Sequence, residues 1–119
     1  MKGEVKVKSE GQRYFKMLFP EESSPIITIK GRSRRVSVLS ENAIVVLAKG
    51  AVLSSRMSAP VSGVVTYPNG VKDEVHGYIV FIKGKNVIVK LLQGVSMYRM
   101  NEQQVWVRQH YPDFDMRMK

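Results

Sequence analysis

Two short stretches hold the residue types able to grip an anionic, aromatic ligand. Gln12-Arg13-Tyr14-Phe15-Lys16 sets an amide and two cations around two rings, just after Gly11. A guanidinium offers planar, paired donors to a phosphate, and rings or guanidinium planes stack on purine bases. About 22 residues on, Val38-Leu39-Ser40-Glu41-Asn42-Ala43 puts a hydroxyl, a carboxylate and an amide on one polar turn. The Ser40 hydroxyl is competent to bond a base edge, with Glu41 and Asn42 as local substitutes for further contacts. Each stretch also has a plain structural use. Tyr14, Phe15, Leu18 and Phe19 can anchor a segment to a core while Arg13 and Lys16 meet water, and the second stretch alone reads as a hairpin.

Catalytic chemistry is poorly provided for. His76 and His110 are the two histidines, and neither has a second ligand at metal-binding spacing. Cysteine is absent, which removes thiolate catalysis, disulfides and Cys-based zinc sites. No GxSxG, GxxxxGK[ST] or GxGxxG occurs. Asp73 and Glu74 are adjacent acids on a predicted turn and read as solvated. The expectation is a non-enzymatic protein with no metal and no resident cofactor.

The elements that must position these residues are mostly strands. Ile26 to Ile29 is β-branched throughout. Arg34 to Leu39 alternates, with Val36 and Val38 expected on one face and Arg35, Ser37 and Leu39 on the other. Ala43 to Leu47 reads as a buried strand, Pro60 to Tyr67 as a strand with Gly63 as a bulge, and Val75 to Ile82 and Asn86 to Leu92 as a hairpin around Lys83-Gly84-Lys85. Pro20 to Pro25 and Pro68-Asn69-Gly70 are turn signals. Six strands at short intervals predict an antiparallel barrel or sandwich. Met97 to His110 lacks Gly and Pro, follows Ser96 as N-cap, and stops before Pro112, so it predicts one helix. Met97, Met100, Val107 and Tyr111 share a face of that helix, with Gln104 interrupting it. The expected division is a flexible arm over 1–11, a barrel over 12–96, a helix over 97–111 and a tail over 112–119.

A chain of 119 residues is one domain by length. The longest apolar run, Ala43 to Ala48, is far below the ~20 residues of a membrane span. Lys6, Lys8 and Glu10 break any leader-like apolar segment, so a cytoplasmic protein is expected. The net charge is +9, and residues 1–40 hold nine Lys/Arg against four Glu. That half includes the Arg32/Arg34/Arg35 cluster and favours anionic partners.

The combination of a Gln12-Arg13-Tyr14-Phe15-Lys16 arm, the Ile26 to Ile29 strand and the Val38 to Ala43 turn in a six-strand pattern resembles the PilZ domain family. The resemblance covers roughly residues 10 to 111. It implies a six-stranded β-barrel with an accessory helix, acting in bacterial cyclic di-GMP signalling. In the family an RxxxR arm holds phosphates and guanine, and a DxSxxG turn reads a guanine edge. Gln12 and Lys16 stand where the two arginines are expected, Arg13 matches an extra arginine inside the arm, and Ser40 matches the family serine. Val38 and Ala43 depart from the acid and the glycine. Each charged, buried hydrogen bond lost costs about 1.5–3 kcal/mol, enough in sum to weaken a micromolar site by several powers of ten. The expectation is therefore a regulatory domain with cyclic di-GMP binding weak or lost, acting through a protein partner.

Two other readings differ from this. One is a functional cyclic di-GMP receptor using Arg13, Lys16 and Ser40. The other is a small-barrel nucleic-acid binder, suited by the charge and by Tyr14/Phe15, but its aromatics are not spaced along one strand face as stacking requires. For a protein partner, Tyr98 and Trp106 on the helix are residue types enriched at interfaces.

Overall fold

Seven strands and one helix are built from the sequence signals above, in a computed structural model that describes residues 16–47 and 58–117. The arm over 1–11, with Gln12 and Arg13, lies outside the described residues. The strands are β1 (Lys16–Leu18), β2 (Ile26–Ile29), β3 (Arg32–Ser40), β4 (Ala43–Leu47), β5 (Pro60–Thr66), β6 (Lys72–Lys83) and β7 (Asn86–Gln93). Helix α1 spans Met97–His110. All strand pairs are antiparallel, and the order β3-β2-β5-β6-β7-β4 closes through a β3–β4 pairing into a six-stranded barrel. The mainly β architecture with a C-terminal helix matches the expectation. Strand β1 was not among the six expected strands. It pairs with the second half of β3, past the point where β2 ends.

Turn chemistry sets the hairpins. Lys30 and Gly31 both have positive φ, 51° and 80°, in the two-residue link between β2 and β3. That is the type I′ geometry whose twist suits a tight hairpin. Gly84 (φ 61°) opens the two-residue link between β6 and β7. Tyr67-Pro68-Asn69-Gly70 closes with a bond from Gly70 N to Tyr67 O at 2.8 Å.

The interior is filled in cross-strand rows. Leu39, Ile44, Val89 and Ile79 are successive partners on β3, β4, β7 and β6, and all are at most 1% exposed. Val36, Val46 and Val87 form the next inner row. The two rows sit on the same side because β3 carries one extra residue between Val36 and Val38. Strict alternation had put Val36 with Val38 and Leu39 opposite. The bulge inverts that parity, so Val36 and Leu39 point inward and Val38 outward. A second shift between Ile79 and Phe81 does the same on β6. Gly63 sits in regular register with Val75, not at a bulge. A side chain there would meet Thr28 O at 2.6 Å, so the glycine serves the close crossing of β2.

Helix α1 is capped by Ser96, whose Oγ accepts from Arg99 N at 3.0 Å. Its buried face is Met100, Gln103, Gln104 and Val107. Gln104 therefore belongs to the packed face and does not interrupt it. Gln103 donates from Nε2 to Asn69 Oδ1 at 3.1 Å. Beyond the helix, Met116 is buried and its carbonyl accepts from Leu18 N at 2.8 Å, so the last described segment packs beside β1.

Candidate functional site

The Ser40 turn is the sole part of the expected ligand signature that can be followed through the described residues, together with Lys16. Antiparallel pairing of β1 with β3 makes Lys16 the direct partner of Ser40. The exposed Lys16 thus stands beside the serine. Ser40 itself is 7% exposed, and its hydroxyl is committed to its own turn. It donates to Ala43 O at 2.7 Å and accepts from Ala43 N at 3.0 Å. A hydroxyl has one proton to give, so no donor remains for a base.

The rest of the turn is closed from behind. Asn42 O accepts from Leu91 N at 2.6 Å, and Glu41 O accepts from Val95 N at 3.2 Å. The chain leaving β7 passes so near that a Cβ on Gly94 would lie 2.0 Å from Glu41 O. Of the residues expected here, Asn42 keeps an exposed side chain with its backbone carbonyl taken. Ala43 is half-buried in β4 and pairs with Lys90.

Val38 stands elsewhere in character. It lies on the outer face at 8% exposure and lines a cleft of about 270 Å³ with Ser37, Val45, Phe81, Lys83, Asn86 and Ile88. Position 38 is part of the floor of an apolar cleft. Lys16, Ser40 and Asn42 are not among its lining residues.

No protein-family model matches the chain, and no curated protein is similar to it. A solved crystal structure, that of an uncharacterized Legionella protein, is similar in fold. It aligns with a TM-score of 0.58 at 12% sequence identity, over 84% of this chain and 100% of that one. At that identity the likeness concerns the fold alone.

The helix brings Tyr98 and Trp106 together. Both line a cleft of about 380 Å³ with Asn69, Asn101, Glu102, Val105 and Gln109. Tyr98 is 74% exposed, whereas Trp106 is partly buried and stacked on His110 at 4.0 Å between ring centroids. The cleft is held by a polar strut that the sequence did not reveal. Asp73, expected to be solvated, accepts from Tyr67 Oη at 2.9 Å and from Arg99 Nε at 3.0 Å. Arg99 also pairs with Glu102, and Glu102 accepts from Asn69 Nδ2 at 2.6 Å. Burial, reinforced by the Asp73 carboxylate, pushes the Tyr67 hydroxyl far above its ordinary pKa. The bond to Asp73 raises that of Arg99.

The histidines have local partners. His76 bonds Ser62 Oγ at 2.9 Å, and His110 Nδ1 bonds the Trp106 carbonyl at 2.8 Å. Among the described residues, no group of three or more His, Cys, Asp or Glu is placed to hold a metal. No described helix is long and apolar enough to cross a membrane. The arginine cluster is divided. Arg35 Nε donates to Ser24 Oγ at 2.7 Å and Arg34 to Ser33 O at 2.8 Å, while Arg32 is exposed.

Proposed function

We propose that this chain is a non-enzymatic regulatory domain of the PilZ kind, in which guanine reading is lost and the barrel acts through a protein partner. The observation that carries this reading is position 38. A carboxylate in the cyclic di-GMP-binding turn accepts from the guanine edge. Here an aliphatic side chain fills that position and packs with Val45 and Ile88 on the outside of the barrel. The neighbouring serine spends its proton on Ala43 O, so the second guanine contact is weakened as well. The lost carboxylate contact is of the kind that contributes about 1.5–3 kcal/mol.

A receptor reading has one observation in its favour, the pairing of Lys16 directly across from Ser40. Isothermal titration of the full chain with cyclic di-GMP separates the two. The expected trace shows no saturable heat. Saturable sub-micromolar binding that is lost in Lys16→Ala and Ser40→Ala would establish the receptor and end the adaptor reading. The cytoplasm is the compartment this role calls for, and cell fractionation with an antibody to the chain checks it.

A further inference from the structure

We propose that the outer face of β4, β7 and the second half of β6 receives an acidic peptide segment of a partner protein, anchored by apolar side chains. This rests on the reading above, that the domain acts through a protein. The surface is a single cross-strand row. Val38 pairs with Val45, Val45 with Ile88, and Ile88 with Phe81, so four strands each contribute one apolar residue side by side. Phe81 is 49% exposed at one end and Val38 is 8% exposed at the other, and between them lies the cleft of about 270 Å³.

The row exists because of two bulges. One extra residue in β3 turns Val38 outward, and one in β6 turns Phe81 outward, on either side of the regular β4–β7 pair. Bulges re-aim side chains at functional edges of sheets. Without the second one, Phe81 would continue the inward set with Ile79. The half-exposed ring continues the row of Val38, Val45 and Ile88, and it is contiguity of apolar surface that marks an interaction site.

Charge decides the partner. Lys83 lines the cleft, Lys90 lies between Ala43 and Tyr78 in the adjoining row, Lys85 sits in the hairpin link, and Lys16 stands at the Ser40 end. Residues 36–47 and 78–93 hold Lys83, Lys85 and Lys90 against a single acid, Glu41 in the β3–β4 turn. No ion pair to these four lysines stands among the described residues. An apolar floor rimmed by unpaired cations complements an apolar stripe flanked by carboxylates.

The barrel also limits how such a segment binds. The floor strands β4 and β7 are paired on both sides at Val45 and Ile88, whereas β6 is so paired only as far as Ile79. Over that floor recognition runs through side chains, which favours an amphipathic helix laid in the groove. Three strand spacings make a row of about 14 Å, or about nine residues of helix. A nucleic acid would need ring faces in series. The floor offers three aliphatic residues and one exposed ring, which suits Leu, Ile or Phe anchors better.

Selection of a displayed library of random peptides, each about 12 residues long to span such a helix, against the full chain tests this. The enriched sequences are expected to combine apolar residues at i, i+3/i+4 and i+7 with an excess of Asp and Glu. A synthetic peptide of that sequence should lose affinity by at least about tenfold in Phe81→Ser and in the double variant Lys83→Glu/Lys90→Glu. It should bind Lys72→Ser, at the other end of β6, as it binds the parent. These positions are exposed, and circular dichroism verifies that each variant folds. An empty selection, enrichment of neutral or basic peptides, indifference to Phe81→Ser, or Phe81-dependent binding of a labelled oligothymidylate would overturn the proposal. Such a failure removes this surface alone. The functional reading stands or falls on the cyclic di-GMP titration.

Discussion

At the scale of the residue, Ser40 shows how a side chain able to bond a ligand can be committed to structure. Its hydroxyl closes the turn through both the carbonyl and the amide of Ala43. Ser40→Ala should lower unfolding free energy by about 1–2 kcal/mol, read in urea titrations. A ligand-reading serine would instead leave stability unchanged. An acid at position 38 meets the opposite problem. Val38→Asp would place a carboxylate at a buried position between Ser37, Val45 and Ile88. Desolvation should cost about 2 kcal/mol at neutral pH and raise that carboxyl's pKa. The expected signature is a variant less stable at neutral pH than in mild acid, relative to the parent. Lys30 carries a different kind of cost. At φ 51° it occupies the left-handed region, where a side chain such as lysine is strained and asparagine is tolerated. Lys30→Asn should gain about 0.5–1 kcal/mol, seen as a higher melting temperature.

At the scale of the element, the helix start is a simple local device. Ser96→Ala removes the acceptor for Arg99 N and should cost about 1 kcal/mol in denaturant titrations. This cap, the helix it starts and six strands were legible in the sequence, because each rests on local signals. Alternation of Val, Ile and Thr, hairpin glycines and a Gly/Pro-free run before Pro112 need no knowledge of partners. Strand β1 was not legible, since three residues carry no period. The bulges were not legible either. Whether Ser37 or Val80 is extra depends on the register of a neighbouring strand, and one residue of slip changes every face. That is why Val38 and Phe81 turned out to share the outer surface. The paired glutamines failed for another reason. Polar side chains at helical spacing suggest a gap in the apolar face, yet Gln103 finds its partner on the Asn69 turn, 34 residues away. Of the expected ligand residues, Lys16 and Ser40 are brought together as strand partners, a pairing that a signature split over two segments anticipates but cannot place.

At the scale of the whole molecule, one polar strut ties the barrel to its helix. Tyr67 directly follows β5, Asp73 is the second residue of β6, and Arg99 belongs to the first turn of α1. The Tyr67 side chain is 2% exposed at the residue level, and the Arg99 guanidinium lies 5.8 Å over its ring. Burial and the facing carboxylate both oppose the phenolate, so its folded-state pKa is raised. An unfolded tyrosine ionises near pH 10. Above that pH the unfolded chain releases this proton while the folded chain retains it. The native state then binds one more proton than the unfolded state, so stability falls as pH rises, by about 1.4 kcal/mol per unit for this group. Below pH 10 the contribution is fully present and flat. Urea titrations from pH 8 upward should therefore show a plateau followed by a decline. In Tyr67→Phe the decline should be shallower by one proton, although that variant starts lower for the loss of the Asp73 hydrogen bond. Arg99→Met should weaken the helix dock at every pH and leave the tyrosine-linked slope in place, because desolvation is the larger cause of the shift. An unaltered slope in Tyr67→Phe would mean that the strut does not couple the barrel to proton binding.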